Sequence, residues 1–168
     1  MISALILTYN EENILPKCLK SLSFVDEILV FDSFSTDKTI KIAENFNAVI
    51  KQRTFDNYSN QRNAALNSIN PKSKWILMVD ADEIVTEELK NEILKKIILE
   101  NDVTMYTVRR KDYLNGKWLR YSSGYPTYFP RLFKNRTCEV VREINEEYTT
   151  TGSISKLKHH LLHFPFNK

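Results

Sequence analysis

Glycine is scarce in this chain of 168 residues. There are three, Gly116, Gly124 and Gly152, and none lies in the first hundred positions. That excludes a glycine-rich phosphate loop and a glycine-fingerprint dinucleotide site from this half. Cysteine is nearly absent too. Cys18 and Cys138 are far apart and form no metal-type spacing. They are expected to be reduced thiols in the cytoplasm, a single disulfide being the other arrangement. No stretch of 18 apolar residues occurs, so no transmembrane helix is expected. The first residues carry no basic region followed by an apolar stretch and a small-residue cleavage site, so no secretory signal is expected. Charge of one sign is also missing: 24 Lys and Arg against 21 Asp and Glu leave +3. That balance permits anionic substrates or an anionic membrane surface, but it is far from the basic stripe of a nucleic-acid binder. There is no internal repeat, low-complexity segment or flexible linker. Hydrophobic content of 42% and charged content of 27% fit one globular domain with a sizeable core.

What the chain does have is Trp75-Ile76-Leu77-Met78-Val79 running straight into Asp80-Ala81-Asp82-Glu83. The short unbroken apolar run reads as a strand buried on both faces of a parallel sheet. Carboxylates crowded at its end repel one another and raise each other's pKa. A divalent cation is the economical remedy, and oxygen donors suit Mg²⁺ or Mn²⁺. An isolated D-x-D would more simply be a solvated loop whose acids favour the next helix start.

The first hundred residues alternate strand and helix. Strands are expected at Ile2–Leu7, Glu27–Phe31, Ala48–Gln52 and Trp75–Val79. Helices are expected through Leu15, Leu19 and Leu22, through Ile40, Ala43 and Phe46, over Tyr58–Ile69, and after Thr86 through Leu89, Ile93 and Ile97. Thr8 and Glu11 stand at capping-box spacing, and Pro16 is tolerable only in a first turn. This order predicts an α/β fold with a mainly parallel sheet flanked by helices. From residue 101 onward helix signals fade. Thr104–Arg110, Pro126–Lys134, Cys138–Val141 and Ser153–His160 read as strands that extend the same sheet.

Polar residues recur at the carboxyl ends of the predicted strands: Thr8-Tyr9-Asn10-Glu11 after the first, Asp32 after the second, Asp80 and Asp82 after the fourth. Ligands of open α/β sheets bind outside those ends. Arg62 falls on the apolar stripe of its helix, one turn from Tyr58 and from Leu66. An inward arginine needs a partner: either a carboxylate such as Asp80, or a phosphate, which suits the guanidinium fork. An acidic metal site beside an inward arginine points to a diphosphate held from two sides.

Taken together, Thr8-Tyr9-Asn10-Glu11-Glu12, Asp32-Ser33-Phe34-Ser35-Thr36-Asp37, Gln61-Arg62-Asn63 and Asp80-Ala81-Asp82-Glu83 resemble family 2 glycosyltransferases of the GT-A fold. Arg131-Leu132-Phe133, Val141-Arg142-Glu143 and Leu162-His163-Phe164 resemble the branch of bacterial lipopolysaccharide-core and capsule glucosyltransferases. The resemblance implies one glycosyltransferase domain over 1–168, with a nucleotide-binding half at 1–100 and an acceptor-side half at 101–168. It implies a Rossmann-like parallel sheet with an added strand-rich C-terminal part. Tyr9 and Glu11, beside Thr8, would line the nucleoside pocket, and Asp32 would accept a hydrogen bond from the base, usually uracil. Arg62 would contact the diphosphate or support the acidic loop. Asp80 would lie near ribose and metal, and Asp82 would bind the bridging Mg²⁺ or Mn²⁺.

The implied reaction moves a sugar from a nucleotide-sugar donor, UDP-linked by the family's habit, to a hydroxyl of a glycan or lipid-linked acceptor, with inversion. A carboxylate base would take the acceptor proton. Glu143 is the candidate, with Glu139, Glu146 and Glu147 nearby. His163 is either a core histidine between apolar neighbours or a group that approaches the metal. The branch tends to carry histidine where this chain has Arg142. It also continues past the region where this chain ends, so the chain is either cut short or a compact member. Trp118, Tyr121, Tyr125 and Tyr128 are either sugar-stacking or core aromatics. The expected location is the cytoplasm, with a peripheral contact at the inner face of the cell membrane. Two other readings stay open: a nucleotide-sugar-binding module without catalysis, and a metal-dependent nucleotidyltransferase.

Overall fold

The computed structural model describes residues 1–99, 101–121, 124–142 and 147–165. Four strands carry the first half: β1 (Ile2–Thr8), β2 (Glu27–Asp32), β3 (Val49–Gln52) and β4 (Trp75–Asp80). Helices α1 (Leu15–Ser21), α2 (Thr39–Asn45) and α3 (Tyr58–Asn67) connect them. Then follow β5 (Glu83–Val85), α4 (Glu87–Lys96), β6 (Val103–Leu114), β7 (Lys117–Trp118), β8 (Tyr128–Lys134), β9 (Cys138–Val140), β10 (Tyr148–Thr150) and β11 (Ser153–His163). The main sheet runs β3-β2-β1-β4-β8-β6-β11-β5, with β7 paired to β6 at the side. β1 is parallel to β2 and β4, β2 to β3, and β6 to β11. β8 is antiparallel between β4 and β6, which splices the second half into the first. The α/β expectation holds, and β6, β8 and β11 do extend the same sheet, whereas β9, expected there too, pairs with β10 in a separate two-stranded sheet.

Alternating side chains of β1 serve two cores. Ala4 and Ile6 pack with α1, α2 and α4 through Leu15, Leu19, Ala43, Leu89 and Ile93. Leu5 packs on the other face with Ala65 and Leu66 of α3 and with Val140 of β9. β1 and β4 are therefore buried on both faces, which is why β4 reads as an unbroken apolar run and β1 as one interrupted only by Ser3, whose hydroxyl pairs with that of Ser73.

Local chemistry departs from the sequence expectation at the first turn. Thr8 and Glu11 form no capping box. Thr8 Oγ1 donates to Asp32 instead, and the Glu11 carbonyl accepts from Ile14 N and Leu15 N before α1 begins. Pro16 does sit in the first turn of α1. Thr86 does cap α4, its side chain accepting from Leu89 N at 3.2 Å. The short β5 was not anticipated, because three residues between an acidic turn and a cap residue leave no periodic signal. Its edge is covered by β11, which runs three residues past the expected His160 to His163.

Candidate donor-binding cleft

The carboxyl ends of β1, β2 and β4 open onto one cleft of about 720 Å³. Thr8, Tyr9, Glu11, Arg62, Asp80, Asp82 and His163 all line it, as do Ser33, Gln61, Phe55 and Tyr58, which the sequence did not single out as ligand residues. The topology explains the gathering. Parallel neighbours β1, β2 and β4 end at one level, so the polar residues that follow them converge.

The floor is a braid between the first two loops. Asp32 is fully buried. Its Oδ1 accepts from Thr8 Oγ1 at 2.8 Å and from Ser35 Oγ. Its Oδ2 accepts from Ser35 N at 2.8 Å and from Gln52 Nε2 at 3.1 Å. Asn10 takes a left-handed φ of 55°, which asparagine tolerates, and its Oδ1 accepts from Thr36 N at 2.8 Å. Asp32 therefore stands behind the cleft wall, not in it. The next residue, Ser33, is the one that faces the cavity. Ser33 Oγ accepts from Gln61 Nε2 at 3.0 Å, and Gln61 Oε1 in turn accepts from Arg53 Nη1 at 2.7 Å. This chain of donors leaves the Ser33 hydroxyl hydrogen free to point elsewhere. Tyr9, Phe55 and Tyr58 remain 60%, 45% and 59% exposed, and Phe55 meets Tyr58 edge-to-face at 5.1 Å. Exposed aromatic rings around a polar wall suit a flat heterocycle.

The acid cluster divides its labour. Asp80 is held between two arginines: Oδ1 lies 3.4 Å from Arg62 Nη2, and Oδ2 lies 2.7 Å from Arg131 Nη2. Burial opposes its charge, but Arg131 and then Arg62 hold the carboxyl well below the usual range. Glu83 is fully buried and takes a fork from Arg131, Nε to Oε2 at 3.0 Å and Nη2 to Oε1 at 2.7 Å. Glu83 Oε2 also accepts from Asp80 N at 3.0 Å, which fixes the turn. Burial would lower the basicity of Arg131, yet Asp80 and Glu83 raise it further. Asp82 turns the other way, and its Oδ2 stands 3.4 Å from His163 Nε2. The repulsion that called for a cation is thus answered for Asp80 and Glu83 by arginine, leaving Asp82 and His163 as the pair facing the cleft. Arg131 was read only as part of a family motif. Its partners lie 51 and 48 residues earlier, beyond any local pattern.

Among the described residues no group of three or more His, Cys, Asp or Glu side chains is arranged to hold a metal alone. Asp82 and His163 do fit a shared ion. Donors 3.4 Å apart are close to the ~3 Å that adjacent corners of an Mg²⁺ octahedron require. Such an ion commonly takes one or two protein donors and completes its shell with phosphate oxygens and water. Burial pulls the pKa of His163 down, but the Asp82 contact outweighs this and holds it above the ordinary histidine value.

Elsewhere, His159 is tied to Glu92 at 2.8 Å, a structural contact. Trp118 and Tyr125 meet edge-to-face at 5.2 Å, beside Lys111 and Arg120. Glu143 and Glu146 lie outside the described residues. Glu147 pairs with Arg142 at 2.9 Å, and Glu139 is exposed on β9. Cys18 is buried, and its burial pushes its thiol pKa well up. Cys138 is likewise pushed up to about 12 by burial and then Glu139. Both are free thiols. Among the described residues no helix is long and apolar enough to cross a membrane.

The family description "Glycosyl transferase family 2" matches residues 3–155. The chain belongs to this family. An uncharacterized glycosyltransferase of Rickettsia bellii is 40% identical over 93 residues, 55% of this chain and 31% of that protein. The lipopolysaccharide core biosynthesis glycosyltransferase LpsC of Rhizobium meliloti is 28% identical over 120 residues, 68% of this chain and 44% of that protein. Among solved structures, S. aureus TarS superposes with a TM-score of 0.67 at 19% identity, over 97% of this chain and 60% of that one. Glucosyl-3-phosphoglycerate synthase from Mycobacterium tuberculosis, solved with Mn²⁺, UDP and glucosyl-3-phosphoglycerate, superposes with a TM-score of 0.54 at 19% identity, over 67% of this chain and 44% of that one. The family 2 chain spans about a third of the R. bellii protein and less than half of LpsC. The structures at 19% identity establish that the fold is shared.

Proposed function

We propose that this family 2 chain carries the donor-binding and transfer site of an inverting glycosyltransferase. A UDP-linked sugar is the donor, and a hydroxyl of a cell-surface glycan or lipid-linked saccharide is the acceptor. The single observation that carries this reading is the division within the acid cluster: Asp80 neutralised by Arg62 and Arg131, Asp82 paired with His163 across the cleft. That arrangement suits a diphosphate placed between an arginine and a metal position.

Each residue then has a task. Tyr9, with Phe55 and Tyr58, stacks on the base, while Thr8 and Glu11 line its pocket. Ser33, oriented by Gln61, donates to a base carbonyl. Asp32 holds the loop that presents Ser33. Arg62, which lines the cleft beside Asp80, approaches the diphosphate. Asp82 and His163 would hold Mg²⁺ or Mn²⁺. When bound, that ion would neutralise the charge growing on the departing diphosphate. Glu143 is the proposed base for the acceptor hydroxyl. What supports it is the resemblance of Val141-Arg142-Glu143 to the family motif. The LpsC and mycobacterial synthase names support a nucleotide sugar and a cell-surface product. No observation favours the binding-only module or the nucleotidyltransferase over this reading.

Thermal-shift titration with UDP, GDP and TDP sugars, with and without Mn²⁺, is the direct test. The expected result is a Mn²⁺-dependent rise in melting temperature with UDP sugars. Ligand at about 100 times Kd stabilises by roughly 2.7 kcal/mol, which is readily seen. No shift with any of the three sinks the proposal. A second measurement separates Asp32 from Ser33. Asp32→Asn removes the charge and one of the two acceptor oxygens that four donors share, so it should cost about 1–3 kcal/mol of folding stability in denaturant titration. Ser33→Ala should leave stability intact and weaken UDP binding. An Asp32→Asn protein of wild-type stability that lost only UDP binding would return the base contact to Asp32.

A further inference from the structure

Asp112, which belongs to none of the sequence motifs that mark the cleft, sits at the end of an unbroken polar line that reaches Asp82. The backbone sets this up. His163 of β11 lies between two neighbours in register, Glu83 on β5 and Asp112 on β6. Phe164 N donates to the Asp82 carbonyl at 2.9 Å, which ties the end of β11 to the acidic loop. Tyr113 and Phe164 stack at 5.4 Å and hold the same strand ends together. Within this frame His163 Nδ1 is 2.7 Å from Asp112 Oδ1, and His163 Nε2 is 3.4 Å from Asp82 Oδ2. The carboxylate is itself anchored, because Arg110 Nε donates to Asp112 Oδ1 at 3.0 Å while Arg110 Nη1 lies 3.7 Å from Glu83. Asp112 is 8% exposed.

We infer that Asp112 is a positioning residue for His163: it accepts a hydrogen bond from Nδ1–H and so turns the Nε2 lone pair toward Asp82 and the cleft. A carboxylate only accepts, so the shared hydrogen belongs to Nδ1. Histidines that ligate metals regularly hand their second N–H to a carboxylate, which fixes both the tautomer and the ring angle. Here that partner comes from the second half of the chain, 30 residues after Asp82. His163 comes from that half too, so the donor half alone lacks both the histidine and the group that aims it. The inference rests on the proposed metal position between Asp82 and His163.

The test is Mn²⁺ binding in the presence of UDP, followed by electron paramagnetic resonance of free Mn²⁺, on the whole chain. Asp112→Ala should weaken Mn²⁺ by about 10- to 100-fold and leave metal-free UDP binding unchanged. Asp112→Asn, which keeps a neutral acceptor, should fall between. Because Asp112 acts through His163, the double variant Asp112→Ala/His163→Ala should bind Mn²⁺ no worse than His163→Ala alone. Wild-type Mn²⁺ affinity in Asp112→Ala, or fully additive losses, would overturn the inference while leaving the function intact. A wild-type protein that binds no Mn²⁺ with UDP would overturn the metal position as well. Should Asp112→Ala fail to fold, ¹⁵N spectra of the wild type with UDP and Mg²⁺ still decide. His163 should carry its proton on Nδ1, and a proton on Nε2 refutes the assignment.

Discussion

On the proposed function, replacing Asp82 by alanine is expected to lower sugar transfer by about three orders of magnitude, the loss that follows when some 4 kcal/mol of leaving-group stabilisation disappears. The protein itself stays folded. Among the described residues the Asp82 side chain meets only His163, at 3.4 Å, and it is one of three carboxylates within four positions. Removing it relieves repulsion within that crowd and ends the polar line at His163, which keeps its Asp112 partner. The checks are a steady-state assay with the donor nucleotide found by thermal shift, and a melting curve of the free protein. The melting temperature should match or exceed that of the wild type, and the Mn²⁺-dependent part of the UDP shift should vanish. Asp82→Asn should behave alike, since the amide is a weak ligand. An Asp82→Ala protein with at least a tenth of wild-type activity would show that the ion, if any, is held elsewhere.

Arg131→Met has the opposite signature: a large loss of stability that precedes any effect on chemistry. Arg131 is 5% exposed and forks onto Glu83, which is fully buried, while bonding Asp80. Taking away one partner of a buried ion cluster leaves the others uncompensated, at a cost of about 3–5 kcal/mol. For a domain of this size that lowers the melting temperature by roughly 10 °C. The effect is pH-dependent, with a sign that follows from linkage. In the wild type Asp80 is held below its ordinary pKa, so its contribution is present above the unfolded value and lost as pH falls through the folded one. Without Arg131, Asp80 keeps only the weaker Arg62 contact, so its carboxyl is held down less. The folded variant then takes up protons at higher pH than the folded wild type and has less of this stability to lose on acidification. The gap to the wild type should be widest near neutrality and narrow as pH falls below about 4. Melting curves at both pH values test this. A gap that widens on acidification would show that Arg131 acts through packing instead of charge.

Much of the molecule can be read from its residues in order. β1 and β4 were legible because strands buried on both faces are apolar at nearly every position, Ser3 being the exception inside β1. α4 was legible because Thr86 caps it and Leu89 and Ile93 repeat on one face. Thr8, Tyr9, Glu11, Asp80 and Asp82 could be found because a parallel sheet brings its strand ends to one level. Other features were not legible. Asp32 looks like a pocket residue from its place at a strand end, yet the chain folds its neighbours around it and pushes Ser33 forward. The capping box at Thr8 looked sound by spacing and lost to a buried carboxylate 24 residues away. β5 was too short to show any period.

By itself, then, the sequence determined the fold class, the order of the first-half elements and the strand ends where a ligand would sit, because these follow from local periodicity and from the geometry of parallel strands. Only the tertiary structure decided which acid does what. Arg131 and Arg110 reach Glu83 from strands 48 and 27 residues later, Arg62 reaches Asp80 from a helix, and His163 reaches Asp82 from the last strand. Charge in a low-dielectric interior is allotted by distances of a few ångströms, and those distances are made by contacts that no window along the chain contains.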